Sequence, residues 1–342
     1  MAVKVITSAE AAAMIRSNST LCSQGMGGND VAEELMLELE KRFLETGEPR
    51  HLSWMHSSGQ GDKSHRGLNH MAHEGLLDWI LGGHFGPAPK IQDMIAQNKI
   101  QAYNLPQGVI SHMFRDIAAK RPTISRVGLY TFADPRVEGG RLNEVTTEDI
   151  VEVIELDGKE YLKYKHPKKL DYAFLRGTYA DERGNISLEE EPCYLESLQA
   201  AQAVKNSGGI VFVQVKKVVP YGSLDMRKIR IPGTLVDYVV PVTDMANHMM
   251  TFDEPFNPAY CGNCRAVISA DQKALKLDAK KIVSRRAAME LRPDSVINLG
   301  IGVPEGVGVV ADEEGIRDTL TCPSSPAPWV VFPWAVSVSV LL

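Results

Sequence analysis

The chain has 342 residues, 44% of them apolar and 23% charged, with 28 Gly and 19 Pro. That profile excludes a disordered, collagenous or disulfide-built protein and leaves room for two compact domains. Lys and Arg number 37 against 43 Asp and Glu, a net charge of −6, so there is no general attraction for nucleic acid or anionic lipid and an anionic ligand must be held by local groups.

In chain order, residues 3–6 and 20–22 read as short buried strands around a helix over 9–16, with Ser8 at its cap and Glu10 in its first turn. The turn Ser23-Gln24-Gly25-Met26-Gly27-Gly28-Asn29-Asp30 then opens an amphipathic helix over 31–44, apolar at Val31, Leu35, Leu39 and Phe43. Further helices are expected over 76–81, 91–96 and 109–119. Residues 151–156 and 160–165 alternate about Asp157-Gly158, a local hairpin signal. The runs 173–176, 210–215 and 235–240 suit central strands, with a helix over 195–205 between the first two, which is a doubly wound pattern.

Residues 243–270 carry Pro, Asn, Asp, Met and Tyr without a period and read as a linker. A second unit follows: a helix over 279–291, a strand over 295–299, the turn Gly300-Ile301-Gly302 and a helix over 304–314. It repeats the opening of the first unit, with Glu33-Glu34 early in one helix and Glu305 in the other. The expected division is 1–242, the linker 243–270, an incomplete second domain over 271–321 and an aberrant tail over 322–342. No charged residue follows Asp318, yet the final apolar stretch, broken by Pro333, is shorter than the roughly 20 residues of a membrane span. Cysteine is sparse and odd in number, and the first residues lack the apolar core of a secretory signal; both point to the cytoplasm.

Each Gly-x-Gly turn is either a tight turn or an anion or oxyanion site, because glycine admits close backbone approach and the following helix offers free N–H groups. Neither has dinucleotide-fingerprint spacing or a P-loop lysine. Gln107, in Asn104-Leu105-Pro106-Gln107-Gly108, can donate to a carboxylate or thioester oxygen or serve only the turn. His70, His73 and Glu74 would share a helix face as metal ligands do, but no third ligand is suitably spaced, and polar packing is the preferred reading. Cys261-Gly262-Asn263-Cys264 lacks a second pair for zinc and reads as a loop. Lys163, Lys165, Lys168 and Lys169 read as a solvated face, with nucleotide phosphates as the alternative.

From about Val3 to Thr321 the chain resembles the family I CoA-transferases of the single-chain acetate or propionate type. The most specific segments are Ser58-Gly59-Gln60-Gly61-Asp62, Gly67-Leu68-Asn69-His70, Gly82-Gly83-His84-Phe85-Gly86, Asn104 to His112, Leu175-Arg176-Gly177-Thr178 and Asn298-Leu299-Gly300-Ile301-Gly302. The resemblance implies two related open α/β domains and transfer of CoA between short carboxylic acids through a glutamyl-CoA thioester. It also implies acyl-CoA and short acids as partners, a homo-oligomer in full-length relatives, and no metal or permanently bound cofactor, CoA being a substrate. It places Gly25, Met26, Gly27, Gly28, Gln60, Gln107 and Gly108 along the substrate and oxyanion site, and Asn298, Gly300, Ile301 and Gly302 on the CoA side.

The family's nucleophilic glutamate should lie in a glycine-rich stretch just after Thr321, where this chain reads Cys322-Pro323-Ser324-Ser325-Pro326, and no glutamate follows Glu314. Codons exist for residues 322–335 that, read two bases on, give Ser-Val-Glu-Ser-Gly-Pro-Val-Gly-Gly-Val-Pro-Leu-Gly. The expectation is therefore a frameshift before Cys322 and a chain inactive as given; the nucleotide sequence there decides it. The alternative is a noncatalytic protein on the same fold that binds acyl-CoA or a small acid.

Overall fold

The computed structural model describes residues 3–167, 169–264, 274–297, 299, 303–316 and 319. The chain divides into two compact units, Met1–Pro255 and Phe256–Leu342.

The first unit is built on β1 (Lys4–Val5), α1 (Ser8–Ala13), β2 (Thr20–Ser23), α2 (Glu33–Thr46), β3 (Leu52–His56), β4 (Leu77–Gly82), α3 (Pro89–Ala96), β5 (Gln101–Asn104) and α4 (Gln107–Ala119). It continues with β6 (Thr123–Ser125), β7 (Val151–Leu156), β8 (Lys159–Tyr164), β9 (Tyr172–Asp181), β10 (Ile186–Ser187), α5 (Ser197–Asn206), β11 (Ile210–Val219), β12 (Ile229–Ile231) and β13 (Tyr238–Pro241). Along the main sheet the strands run β1-β13-β11-β9-β2-β3-β4-β5, and every neighbouring pair on that path is parallel. β10 and β12 add an antiparallel edge beyond the end of β9. β6, β8 and β7 form a separate antiparallel sheet that contains the expected hairpin.

Successive residues of the central strands bury on opposite faces, as strand period requires. Leu21, Trp54, Ile80, Phe174 and Phe212 join one core with α1, α2 and α3. Cys22, Met55, Leu81, Leu175 and Val213 join the other with α4 and α5. This is the doubly wound sandwich that the strand runs imply. From β2 the chain winds outward through β3, β4 and β5, and from β9 it winds the opposite way through β11 and β13. The strand order therefore reverses between β2 and β9, and a crevice at their carboxyl ends is where such sheets hold ligands.

Three local expectations change. Where a helix over 76–81 is expected, the chain forms strand β4, Leu77–Gly82, since a run of apolar residues too short to show a period cannot tell a buried strand from a buried helix. The cap of α1 is Thr7, whose hydroxyl accepts the Glu10 N–H while the Glu10 carboxylate accepts the Thr7 N–H, a capping box that Ser8 does not make. The chain after β13 stays on the first unit: the Glu34 carboxylate accepts the N–H groups of Thr243 and Asp244, and His248 and Met250 are buried.

In the second unit α6 (Ala279–Ala288) starts on an Asp278 cap and α7 (Glu305–Glu313) starts directly after Pro304. Ala288, Val307 and Val310 pack together, and Lys281 Nζ lies 2.7 Å from the Glu313 carboxylate. Of the expected strand over 295–299, Val296 forms an isolated β-bridge among the described residues, and Asn298 lies outside them. Asn298, Gly300, Ile301 and Gly302, and the tail over 322–342, lie outside the described residues. No helix among the described residues is long and apolar enough to cross a membrane.

Candidate functional site

The turn after β2 is tied to the turn after β3. Met26 and Asn29 exchange N–H···O bonds of 3.0 Å, which closes the tip. Gly27 donates to the Gly59 carbonyl at 2.7 Å and accepts from the Gly61 N–H at 2.9 Å, stitching the tip to the second loop. Gly25 has φ +146°, and a Cβ there would lie 2.7 Å from Val31 Cγ2; Gly28 has the ring and backbone N of Phe252 2.9 Å from where a Cβ would stand. Both glycines thus permit close approach, and Gly25 also supplies the positive φ of the turn. Gly25, Gly27 and Gly28 are buried and Met26 is half-buried. Arg66 lies over the Phe252 ring at 5.4 Å, so the segment that leaves the sheet covers the turn.

Gln60 is fully buried beneath the same turn. Trp54 Nε1 can only donate, and it donates to Ser23 Oγ at 2.8 Å; the hydroxyl in turn donates to Gln60 Oε1 at 2.9 Å. That chain fixes the Gln60 amide; among the described residues its Nε2 has no hydrogen-bond partner, nor have Gln24 Nε2 and both polar atoms of the Asn29 side chain. Buried amides without partners are uncommon and call for an explanation. Here four such atoms from three residues surround one glycine turn beside the strand-order reversal.

Gln107 is the first residue of α4 and half-buried, and Gly108 beside it is exposed. At Gly83 a Cβ would stand 2.3 Å from the Ser57 carbonyl oxygen and 3.0 Å from Gln107 Cα, so that glycine lets the ends of β3 and β4 close on the start of α4. Glu196, just before α5, accepts a hydrogen bond from Ser57 Oγ at 2.7 Å and another from Ser111 Oγ, one turn into α4. The loop Ser57–Gly61 therefore borders both groups: Gly25 to Gly28 with Gln60 on one side, Gln107 with Gly83 on the other. His56 beneath it is neutral, its pKa depressed to about 4 by burial, with Nδ1 2.8 Å from the Ser58 carbonyl.

Sequence reasoning did not single out the buried polar cluster at this end of the sheet, which consists of Asp30, Arg176, Glu191, Gln214 and His248. A lone arginine in the apolar run of β9 was the available signal. Its partners stand far apart along the chain and meet only in the fold.

His70 lies in a short helical turn, with Nε2 2.9 Å from Glu33 and Nδ1 2.5 Å from Glu40, and His73 Nε2 is 2.6 Å from Glu40. Among the described residues no group of three or more His, Cys, Asp or Glu is arranged to hold a metal ion. Burial alone would lower the His70 pKa, but the bonds to Glu33 and Glu40 outweigh it and raise it to about 9. A histidine raised in the folded state contributes stability in full below its ordinary value of 6.5 and loses it as pH climbs to about 9. Thermal unfolding across that window should show wild type losing on the order of 2 kcal/mol more than His70→Gln; parallel curves for the two would contradict the ion-paired histidine. Lys163 pairs with Glu152, Lys165 with Glu148 and Lys169 with Asp171, so three of the four lysines singled out form a solvated ion-paired face, and Lys168 lies outside the described residues.

The family model for coenzyme A transferase matches residues 5–241. The chain is 45% identical over 319 residues to the caffeate CoA-transferase of Acetobacterium woodii, covering 93% of this chain and 60% of that protein. It is 42% identical to the acetate CoA-transferase YdiF of Escherichia coli O157:H7. The apoenzyme crystal structure of YdiF superposes with a TM-score of 0.86 over 94% of this chain and 61% of that one, and its thioester complex with CoA does so equally. Glutaconate coenzyme A-transferase from Acidaminococcus fermentans, 16% identical with a TM-score of 0.55, shares the fold. The chain spans about 60% of the length of the curated relatives it matches.

Proposed function

This chain belongs to the coenzyme A transferase family, and we propose that it serves the transfer of CoA between a short-chain acyl-CoA and a free carboxylate such as acetate or propionate. The observation that carries this reading is the match to YdiF over 94% of the chain, a protein whose solved structures include a thioester complex with CoA. In the proposed chemistry a glutamate carboxylate attacks the acyl thioester carbonyl and the CoA thiolate leaves, giving a mixed anhydride. The thiolate then attacks the glutamyl carbonyl, which releases the first acid and leaves glutamyl-CoA. The acceptor carboxylate repeats the exchange in reverse. Thiolate is a competent leaving group, so the protein's task is to bind CoA and to place N–H donors on the developing oxyanion.

The residues proposed for that task are Gly25, Met26, Gly27, Gly28 and Gln60 at the reversal of strand order and Gln107 and Gly108 at the start of α4, with Asn298, Gly300, Ile301 and Gly302 on the CoA side. The attacking glutamate is not assigned, because no Glu follows Glu314 in this sequence. The reading accordingly is a chain that holds acyl-CoA and does not turn it over alone. It extends to a homo-oligomeric assembly, which sedimentation tests, and to a cytoplasmic setting with no permanent cofactor.

The deciding experiment incubates the purified chain with acetyl-CoA and labelled acetate and probes it with hydroxylamine. Acetyl-CoA binding without label exchange supports the reading. A hydroxylamine-sensitive CoA adduct on this polypeptide overturns the missing nucleophile, and failure to bind any acyl-CoA overturns the substrate class.

A further inference from the structure

Asp30 closes the glycine turn in a left-handed conformation, φ +56°, and is 5% exposed. Among the described residues neither of its carboxylate oxygens receives a hydrogen bond, although the Cys193 N–H faces it. The Glu191 side chain meets it within hydrogen-bond reach; Glu191 is 3% exposed, its Oε2 has no hydrogen-bond donor among the described residues, and Arg176 Nε lies 3.0 Å away as its ion-pair partner. The Thr178 hydroxyl donates to Glu191 Oε1 at 3.4 Å. His248 Nε2 lies 3.7 Å from Glu191 Oε1, and the other ring nitrogen, Nδ1, accepts from the Gln214 amide at 3.1 Å. A histidine that accepts at Nδ1 is neutral with its proton on Nε2, and burial together with Arg176 depresses its pKa to about 4.

Charge balance then decides the last member. Arg176 contributes one positive charge, Glu191 one negative and His248 none, so an ionised Asp30 would add a second buried negative charge with no countercharge and only the Cys193 N–H facing it. We propose that Asp30 stays a neutral carboxylic acid whose proton bridges to Glu191, making it the positioning residue that latches the glycine turn to the segment between β10 and α5. Burial and the Glu191 charge both hold the Asp30 carboxyl well above the usual carboxylate range. The groups that face the pair are Arg176 and Thr178 from β9, the Cys193 N–H from the segment before α5 and His248 from the segment after β13; Gln214 and Lys216 of β11 act on His248, and Glu196 on Cys193. With the latch closed, Asn29 and Gln24 keep their unpartnered amides at the turn; with two carboxylates ionised, repulsion opens it. The link from latch to acyl-CoA rests on the function proposed above, whereas the proton itself does not.

Two measurements on the full chain test this. The infrared difference spectrum between wild type and Asp30→Asn at neutral pH should contain a protonated-carboxyl C=O stretch; its absence overturns the proposal. If Asp30→Asn does not fold, carbon NMR of labelled aspartate in wild type reads the same proton, and a single ordinary aspartate titration at this site overturns it. Acetyl-CoA affinity should fall about tenfold in Asp30→Ala and be recovered in Asp30→Asn, whose amide N–H still donates to Glu191. Wild-type affinity should drop at alkaline pH while that of Asp30→Asn stays flat, which a merely space-filling Asp30 would not produce; equal pH profiles overturn the positioning role. If wild type binds no acyl-CoA, the functional reading fails, and the infrared band still decides the latch.

Discussion

Replacing Gly83 by alanine should lower the unfolding midpoint by roughly 6–12 °C, the shift that about 3 kcal/mol produces in a unit of this size. The added Cβ would meet the Ser57 carbonyl at 2.3 Å and Gln107 Cα at 3.0 Å, and both are backbone atoms that cannot swing aside. Relief requires the ends of β3 and β4 to part from α4, so the damage should reach acyl-CoA binding as well as stability. Gly108→Ala is the matched control: nothing lies within 4 Å of its Cβ position, it sits within α4, and alanine is the better helix former there. That variant should be neutral or gain a few tenths of a kcal/mol up to about 1 kcal/mol. Calorimetry on the two proteins settles the matter, and equal midpoints would show that the loop yields freely.

Arg176→Met should cost about 3–5 kcal/mol, the range for breaking a buried ion pair from one side. Arg176 and Glu191 are each 3% exposed, so methionine leaves the carboxylate without its countercharge and far from water. The double variant Arg176→Met/Glu191→Leu should regain part of the loss, since the ion pair is removed from both sides, while Asp30 and Thr178 still lose Glu191 as acceptor. Denaturant titrations of wild type, single and double variants measure this directly. A single variant within about 0.5 kcal/mol of wild type, the scatter of ordinary surface changes, would mean that water reaches Glu191.

What the sequence discloses and what it hides follow from the range of the interactions. The glycine turn between β2 and α2, the hairpin of β7 and β8, and the apolar runs of β9 and β11 are set by residues adjacent in the chain, and they are read correctly. β4 was misread because its identity depends on β3 and β5 pairing on either side of it. Gln107 stands out in its own polar turn and Gln60 is implied by the family resemblance, but that they border one loop becomes visible only through Gly83 and the Ser57–Gly61 segment. The cluster of Asp30, Arg176, Glu191 and His248 is a property of the closed fold: Asp30 and Arg176 lie in segments that stand out in the sequence, but nothing there joins them to Glu191 and His248.

The passage of residues 243–252 along the sheet bears on where the first unit can be cut. Phe252 forms one wall of the turn at Gly28, Glu34 grips Thr243 and Asp244, and His248 fills the slot beside Glu191. A protease nick after Val242, at the sequence-drawn border, would strip all three supports at once, whereas cleavage beyond Pro255 would spare them. Limited digestion should therefore release a resistant core ending past Pro255, and a core that ends near Val242 would show that this strap is dispensable.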